Sequence, residues 1–143
     1  MKRYKLAAIY NRLESKGYKF SSLPNPLKYK LLFANNQPIY ARVASSSAEL
    51  AQGLMGVESL DTNEGCLLSF GHDTHCNLYM KNCKINLQAA MIDENGRITD
   101  IVNMYYNNPY YIHKSSTPVR YALEMSENYF TNKNIKVGDL IKL

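Results

Sequence analysis

The apolar positions of the chain follow two different periods. Leu6, Ile9, Tyr10 and Leu13 recur at i, i+3, i+4 and i+7, one face of a 3.6-residue repeat. They predict an amphipathic helix over residues 2–16. Its other face holds Lys2, Lys5, Arg12 and Lys16, and Gly17 supplies a stop that tolerates the left-handed conformation. Residues 18–27, with two prolines and two serines, read as a linker.

After the linker the pattern changes to short apolar runs and alternation. Strands are predicted from residue 28 and over residues 39–43, with Asn35-Asn36 as the turn before the second. Ser46 and Glu49 stand at capping-box spacing, so a short helix should run from residue 47 to about residue 55. Leu50, Leu54 and Met55 would share one side of it, and Gly56 would end it. The rest reads as β, over residues 66–70, 78–82, 87–93, 97–104, 119–125 and 140–143. Asn95-Gly96 joins two of these runs and is a strong hairpin signal, because both residues tolerate positive φ. Along residues 119–125, Val119, Tyr121, Leu123 and Met125 should face one way, and Arg120, Ala122 and Glu124 the other.

Many short strands with one or two helices predict an α+β architecture. It would be a mainly antiparallel, β-rich compact domain or small β-barrel, with a basic helix at its N-terminal side. The expected division is a helix and linker over residues 1–27 and a single β-rich domain over residues 28–143. A chain of 143 residues can bury about two thirds of its unfolded surface. Its 45% apolar content argues against whole-chain disorder.

Charge sharpens this division. The net charge is +5, but residues 1–38 hold eight basic residues and one acid, a local +7. The remaining residues carry −2. An anionic partner is therefore an expectation for residues 1–38 alone. Three cysteines are an odd number, which fits reduced thiols in the cytoplasm better than a secreted disulfide framework. The apolar patch at residues 6–10 is too short for a signal peptide, and no run is long enough to span a membrane.

Four groups of residues could carry chemistry. His72, His75, Cys76 and Cys83 are possible zinc ligands, but the spacing is not a standard one and no metal is expected. Cys83 lies beside Lys81 and Lys84, which would favour a thiolate, and His113 could approach it from another strand. Residues 104–113 place four tyrosines around Asn-Asn-Pro, flat faces with hydroxyls that suit sugars, bases or a protein epitope. If residues 78–82 are a strand, Tyr79, Lys81 and Cys83 share one face. A buried Lys81 or Asn82 would then need a partner, for which Glu124 is the candidate and Arg120 its competitor.

Residues 39–143 resemble domain of unknown function family number 192, an uncharacterised family. The resemblance rests on Gly53-Leu54-Met55, Gly65-Cys66-Leu67-Leu68, Leu78-Tyr79-Met80-Lys81-Asn82-Cys83, Ile85-Asn86-Leu87-Gln88, Met91-Ile92-Asp93, Leu123-Glu124 and Gly138-Asp139, in that order. Against the family's pattern, Val57 replaces an arginine, Gln88 an aspartate, Tyr79 a tryptophan and Cys83 a threonine. The resemblance implies a compact β-rich fold and no reaction. If the family acts through that arginine and aspartate, this chain has lost the pair.

The leading expectation is a non-enzymatic binding or accessory module with no cofactor. Its ligand-binding residues would be Met55, Tyr79, Lys81, Asn82, Tyr105, Tyr106 and Glu124. The partner would be a protein, a carbohydrate or another small ligand. Two alternatives stand beside it. One is a small enzyme using Lys81, Glu124 and Cys83, the other nucleic-acid binding through the basic N-terminal arm.

Overall fold

The computed structural model describes residues 12, 14–17 and 29–143. Apart from Arg12 and Glu14–Gly17, the helix and linker expected over residues 1–27 lie outside the described residues.

Strands β1 (Tyr29–Ala34) and β2 (Gln37–Ala44) are followed by helix α1 (Ser47–Gln52). Next come β3 (Glu64–Thr74), β4 (Asn77–Leu78), β5 (Leu87–Ile92) and β6 (Ile98–Met104). The order ends with β7 (His113–Lys114), β8 (Val119–Ser126), helix α2 (Tyr129–Asn132) and β9 (Ile141–Lys142). Seven strands form one sheet in the order β6-β5-β8-β3-β2-β1-β9, which curls into a half-barrel. β4 and β7 pair separately. All pairings are antiparallel except β2 with β3, which α1 and the segment after it connect as a crossover.

The turn chemistry follows the sequence closely. Asn35 and Asn36 take φ of 47° and 62°, the left-handed pair that a two-residue hairpin needs, and Ala34 opposes Gln37. At the second hairpin only Gly96 has positive φ (86°), and the Asp93 carboxylate accepts from Asn95 and Arg97 backbone N–H groups at 2.9 and 3.0 Å. The register slips between the pairs Met91–Asp100 and Ile92–Ile98, a bulge. Gly96 also receives the Ile141 N–H at 2.7 Å, and a Cβ there would stand 2.5 Å from the Ile141 carbonyl oxygen. Only glycine permits this approach, which draws the two sheet edges together at one end.

The sheet buries both faces. On one, Leu67, Ala90 and Leu123 pack with Tyr129 and Phe130 of α2. On the other, Cys66, Leu68, Ala89 and Ala122 pack beneath Leu54, Leu78 and Met80. Gln88 ties α2 to the first face. Its carbonyl oxygen accepts from the Phe130 and Thr131 N–H groups at 2.7 and 3.2 Å, and its amide donates to Asn103 and Thr131 side chains at 2.9 and 3.0 Å.

Three expectations need correction. The helix after Ser46 ends at Gln52, not near Met55, because Gly53 turns the chain at φ 47°. Its capping box is present, with Ser46 and Glu49 exchanging bonds at 3.1 and 3.0 Å. Residues 78–82 are not a strand beyond Leu78: Asn82 has φ of 62° and the Cys83 N–H returns to the Met80 carbonyl at 3.0 Å. Strand alternation therefore does not govern Tyr79, Lys81 and Cys83. Val119 also departs from its expected face, since it packs with the Cys66 cluster while Leu123 and Met125 pack on the other side.

Candidate functional site

One row of paired residues crosses the sheet through Arg42 on β2, Cys66 on β3, Glu124 on β8 and Ala89 on β5. Residues in one row project to the same face. Glu124 is only 6% exposed, yet no hydrogen bond reaches its carboxyl from another described residue. Burial pushes its pKa up to about 7, and the charge of Arg42 opposes that rise. The Arg42 guanidinium itself donates to the Gly53 carbonyl and lies 4.0 Å from the Cys66 sulfur.

Glu124 closes the floor of a pocket of about 70 Å³. Leu50, Gln52, Gly53, Leu54 and Met55 form one wall, and Asn77, Leu78, Tyr79 and Cys83 another. The first wall follows from the shortened helix. Gly53 reverses the chain so closely over the carboxyl that a Cβ there would stand 3.3 Å from Glu124 Oε1. The second follows from the turn at Asn82, whose backbone carbonyl accepts from the Gly56 N–H at 3.0 Å and whose amide nitrogen lies 4.0 Å from the Met55 sulfur. A neighbouring cleft of about 270 Å³ lies across the Gln52–Met55 turn and contains Tyr29, Arg42, Val57 and Glu64.

The structure brings Met55, Tyr79 and Glu124 to one pocket, with Asn82 bracing its wall. Lys81 is exposed and does not line it. Tyr105 lines a separate cleft of about 400 Å³ with Asn103, Asn108, Tyr111 and His113. Tyr106 is exposed, its backbone N–H on the Asn86 side chain at 3.0 Å. Tyr110 is 74% exposed, and Tyr111 packs edge-on against His113 at 4.7 Å between ring centroids. The tyrosine loop is tied to the pocket segment by the Met80 N–H to Pro109 carbonyl bond at 3.1 Å and by the β4–β7 pairing.

Other expected groupings are not assembled. Arg120 does not approach Glu124 but pairs with Asp73 at 2.9 Å and Glu94 at 3.5 Å. The Cys83 thiol is not activated by its neighbouring lysines. Burial, and then the Glu124 charge, push its pKa up to about 11. Cys83 and His113 line different cavities. His72 and His75 are exposed while Cys76 is buried, its N–H on the Ser115 hydroxyl at 3.0 Å. Among the described residues no three His, Cys, Asp or Glu side chains gather as a metal set. Val57 and Gln88 do not share a site either, because Gln88 faces α2 on the opposite side of the sheet. Sequence reasoning missed Arg42, Gly53 and Cys66. The signal for Arg42 was available, a lone charge inside the apolar run of residues 39–43.

No curated protein matches this chain. Solved structures share its fold, among them two at low sequence identity. One is a candidate transcription regulator from Sinorhizobium meliloti 1021, 23% identical, with a TM-score of 0.73 over 78% of this chain and 89% of that one. The other is a protein of unknown function from Novosphingobium aromaticivorans DSM 12444, 21% identical, with a TM-score of 0.75 over 80% and 85% of the two chains. At these identities the likeness establishes the fold alone. The sequence pattern of DUF192, described as an uncharacterized ACR, matches residues 31–143, and the chain belongs to that family.

Proposed function

We propose that the chain is a non-enzymatic binding module and that its ligand site is the Glu124 pocket. The observation that carries this reading is a buried carboxyl with no hydrogen-bond donor from another described residue, opening on a cavity between two walls. A ligand donor placed against this carboxyl, in a site poor in water, would gain a charge-assisted hydrogen bond. Met55, Tyr79 and Asn82 would form the wall and mouth. Lys81, exposed beside Asn82, would meet only the outer part of a ligand. Tyr105 and Tyr106 would offer a second contact surface for a carbohydrate or protein.

A binding role is favoured over catalysis because the pocket holds a carboxyl and a protonated thiol but no amine or imidazole. Residues 28–143 would act as one domain, and the +7 of residues 1–38 suits an anionic partner. No helix among the described residues is long and apolar enough to cross a membrane. The unpaired thiols suit a cytoplasmic location.

The test is a thermal-shift screen of the full chain against short amines, amides, carboxylic acids and monosaccharides, repeated with Glu124→Gln and Met55→Trp. At least one compound class should raise the melting temperature of the native chain and lose that effect in both variants. If no class shifts it, or the shifts survive both substitutions, the pocket is not the ligand site.

A further inference from the structure

The electrostatics of the pocket narrow what it can take. Its lining has one acidic group, Glu124, and no Lys, Arg or His. The titratable groups that bear on the carboxyl are Arg42 from β2, Cys66 from β3, and Cys76 and Cys83 from the segment before β5. Glu49 of α1 acts on Cys66. The three thiols stay protonated at neutral pH, leaving Arg42 as the cation that acts on Glu124. Arg42, however, opens on the neighbouring cleft and is held by the Gly53 carbonyl. Its field reaches the carboxyl, but its donors do not.

The remaining surface is uncharged, with the Gln52 and Asn77 amides among aliphatic side chains. Leu50, Leu54, Leu68 and Leu78 surround the carboxyl, and the ring of Tyr79 stands exposed at the mouth. A volume of about 70 Å³ admits a head group of a few heavy atoms, since one water requires about 10–15 Å³. Among the described residues Glu124 is the only charged group in the lining, so a cationic head group on a stem that tolerates apolar walls complements it best. An aromatic face at the mouth further favours a cation.

We infer that the pocket binds a primary alkylammonium group, its N–H donors on the Glu124 carboxylate and its methylene stem against Leu54, Met55 and Tyr79. This rests on the reading of the pocket as a ligand site. The same chemistry comes from two sources, a free small amine or a lysine side chain of another protein.

Ammonium binding leaves a signature that other ligands lack. An ammonium binds the ionised carboxyl, so near pH 6, where the raised pKa keeps Glu124 largely protonated, binding must expel a proton. A carbonyl or carboxylate ligand would instead favour the protonated form, taking up almost no proton near pH 6 and close to one near pH 8.5.

The experiment is calorimetric titration of the full chain with n-butylammonium chloride, Nα-acetyl-lysine N-methylamide, butyramide and sodium butyrate. Each is measured near pH 6 in two buffers of different ionisation enthalpy, and again near pH 8.5. Saturable binding of an amine is expected, at least about tenfold tighter than butyramide, with release approaching one proton near pH 6 and almost none near pH 8.5. Glu124→Gln should weaken it by about tenfold or more. Binding of butylammonium alone assigns the site to free amines, and comparable or tighter binding of the lysine derivative assigns it to a protein side chain. Proton uptake, a preference for butyrate or butyramide, or amine binding that survives Glu124→Gln overturns the ammonium assignment while leaving a ligand pocket. Binding of none of the four overturns the assignment too, and the wider screen above then decides the pocket itself.

Discussion

Arg42 and Glu124 lie in one row of the sheet with Cys66 between them, and no ion pair joins them. The arginine is held by the Gly53 carbonyl, so the two charges interact through space alone. Two strand spacings separate their backbones by roughly 10 Å. Replacing Arg42 with Met removes the one influence that lowers the Glu124 pKa and strips the Gly53 carbonyl of its donor. The carboxyl should then titrate above its native midpoint, and stability should fall by roughly 1–3 kcal/mol. Carboxyl ¹³C titration and urea unfolding measure the two effects. An unchanged midpoint would show that Arg42 does not sense Glu124.

Glu124 should weaken the fold as pH rises. Its pKa moves from 4.5 up to about 7 on folding. Below the lower value both states hold the proton and nothing is lost. Between the two, only the folded chain keeps it, so stability declines with rising pH. Above about pH 7 the decline is complete, at roughly 3 kcal/mol. Glu124→Gln should therefore match the native chain near pH 4.5 and exceed its stability near pH 8, as read by urea unfolding at both pH values. A carboxyl retained at that cost is what a functional site would maintain.

The turn over the pocket depends on Gly53. Its φ of 47° with ψ of −120° is a conformation that side chains avoid, and an added Cβ would crowd Glu124 Oε1. Gly53→Ala should cost roughly 1–3 kcal/mol. It should also shift the Glu124 titration, because the wall above the carboxyl has to move. Equal stability of the variant would mean that the turn relaxes freely.

Gln88 anchors α2 on the face away from the pocket. Gln88→Ala leaves the Phe130 and Thr131 N–H groups without their acceptor, and roughly 1–3 kcal/mol should be lost in thermal or urea unfolding. Ligand binding at the Glu124 pocket should be unaffected in the folded variant. A binding defect would indicate coupling between the two faces of the sheet.

Much of the strand frame is legible in the sequence, because its signals are local. Asn35-Asn36, the Ser46–Glu49 box and Asn95-Gly96 each act within a few residues, and each forms where expected. Glu124 was also visible, as an acid between the apolar residues Leu123 and Met125 of a strand. Its surroundings were not. The proximity of Gly53 to Glu124 joins residues 71 positions apart, and the parallel pairing that aligns Arg42 with Cys66 is a crossover with no local mark. The run Leu78–Tyr79–Met80 looked like a strand because its apolar density is right. Its path is decided instead by the positive φ at Asn82 and by the partners it finds at Pro109 and Gly56. That turn is why Tyr79 and Cys83 reach the pocket and Lys81 does not.

The carboxyl of Glu124 at the pocket is decisive for the proposed ligand binding there, and the ¹³C titration of that side chain is the most direct test. A midpoint near pH 7 is the predicted result, dropping on addition of a bound ammonium. A midpoint at or below the ordinary value of about 4.5 would contradict it, because the carboxylate would then be solvated or already partnered.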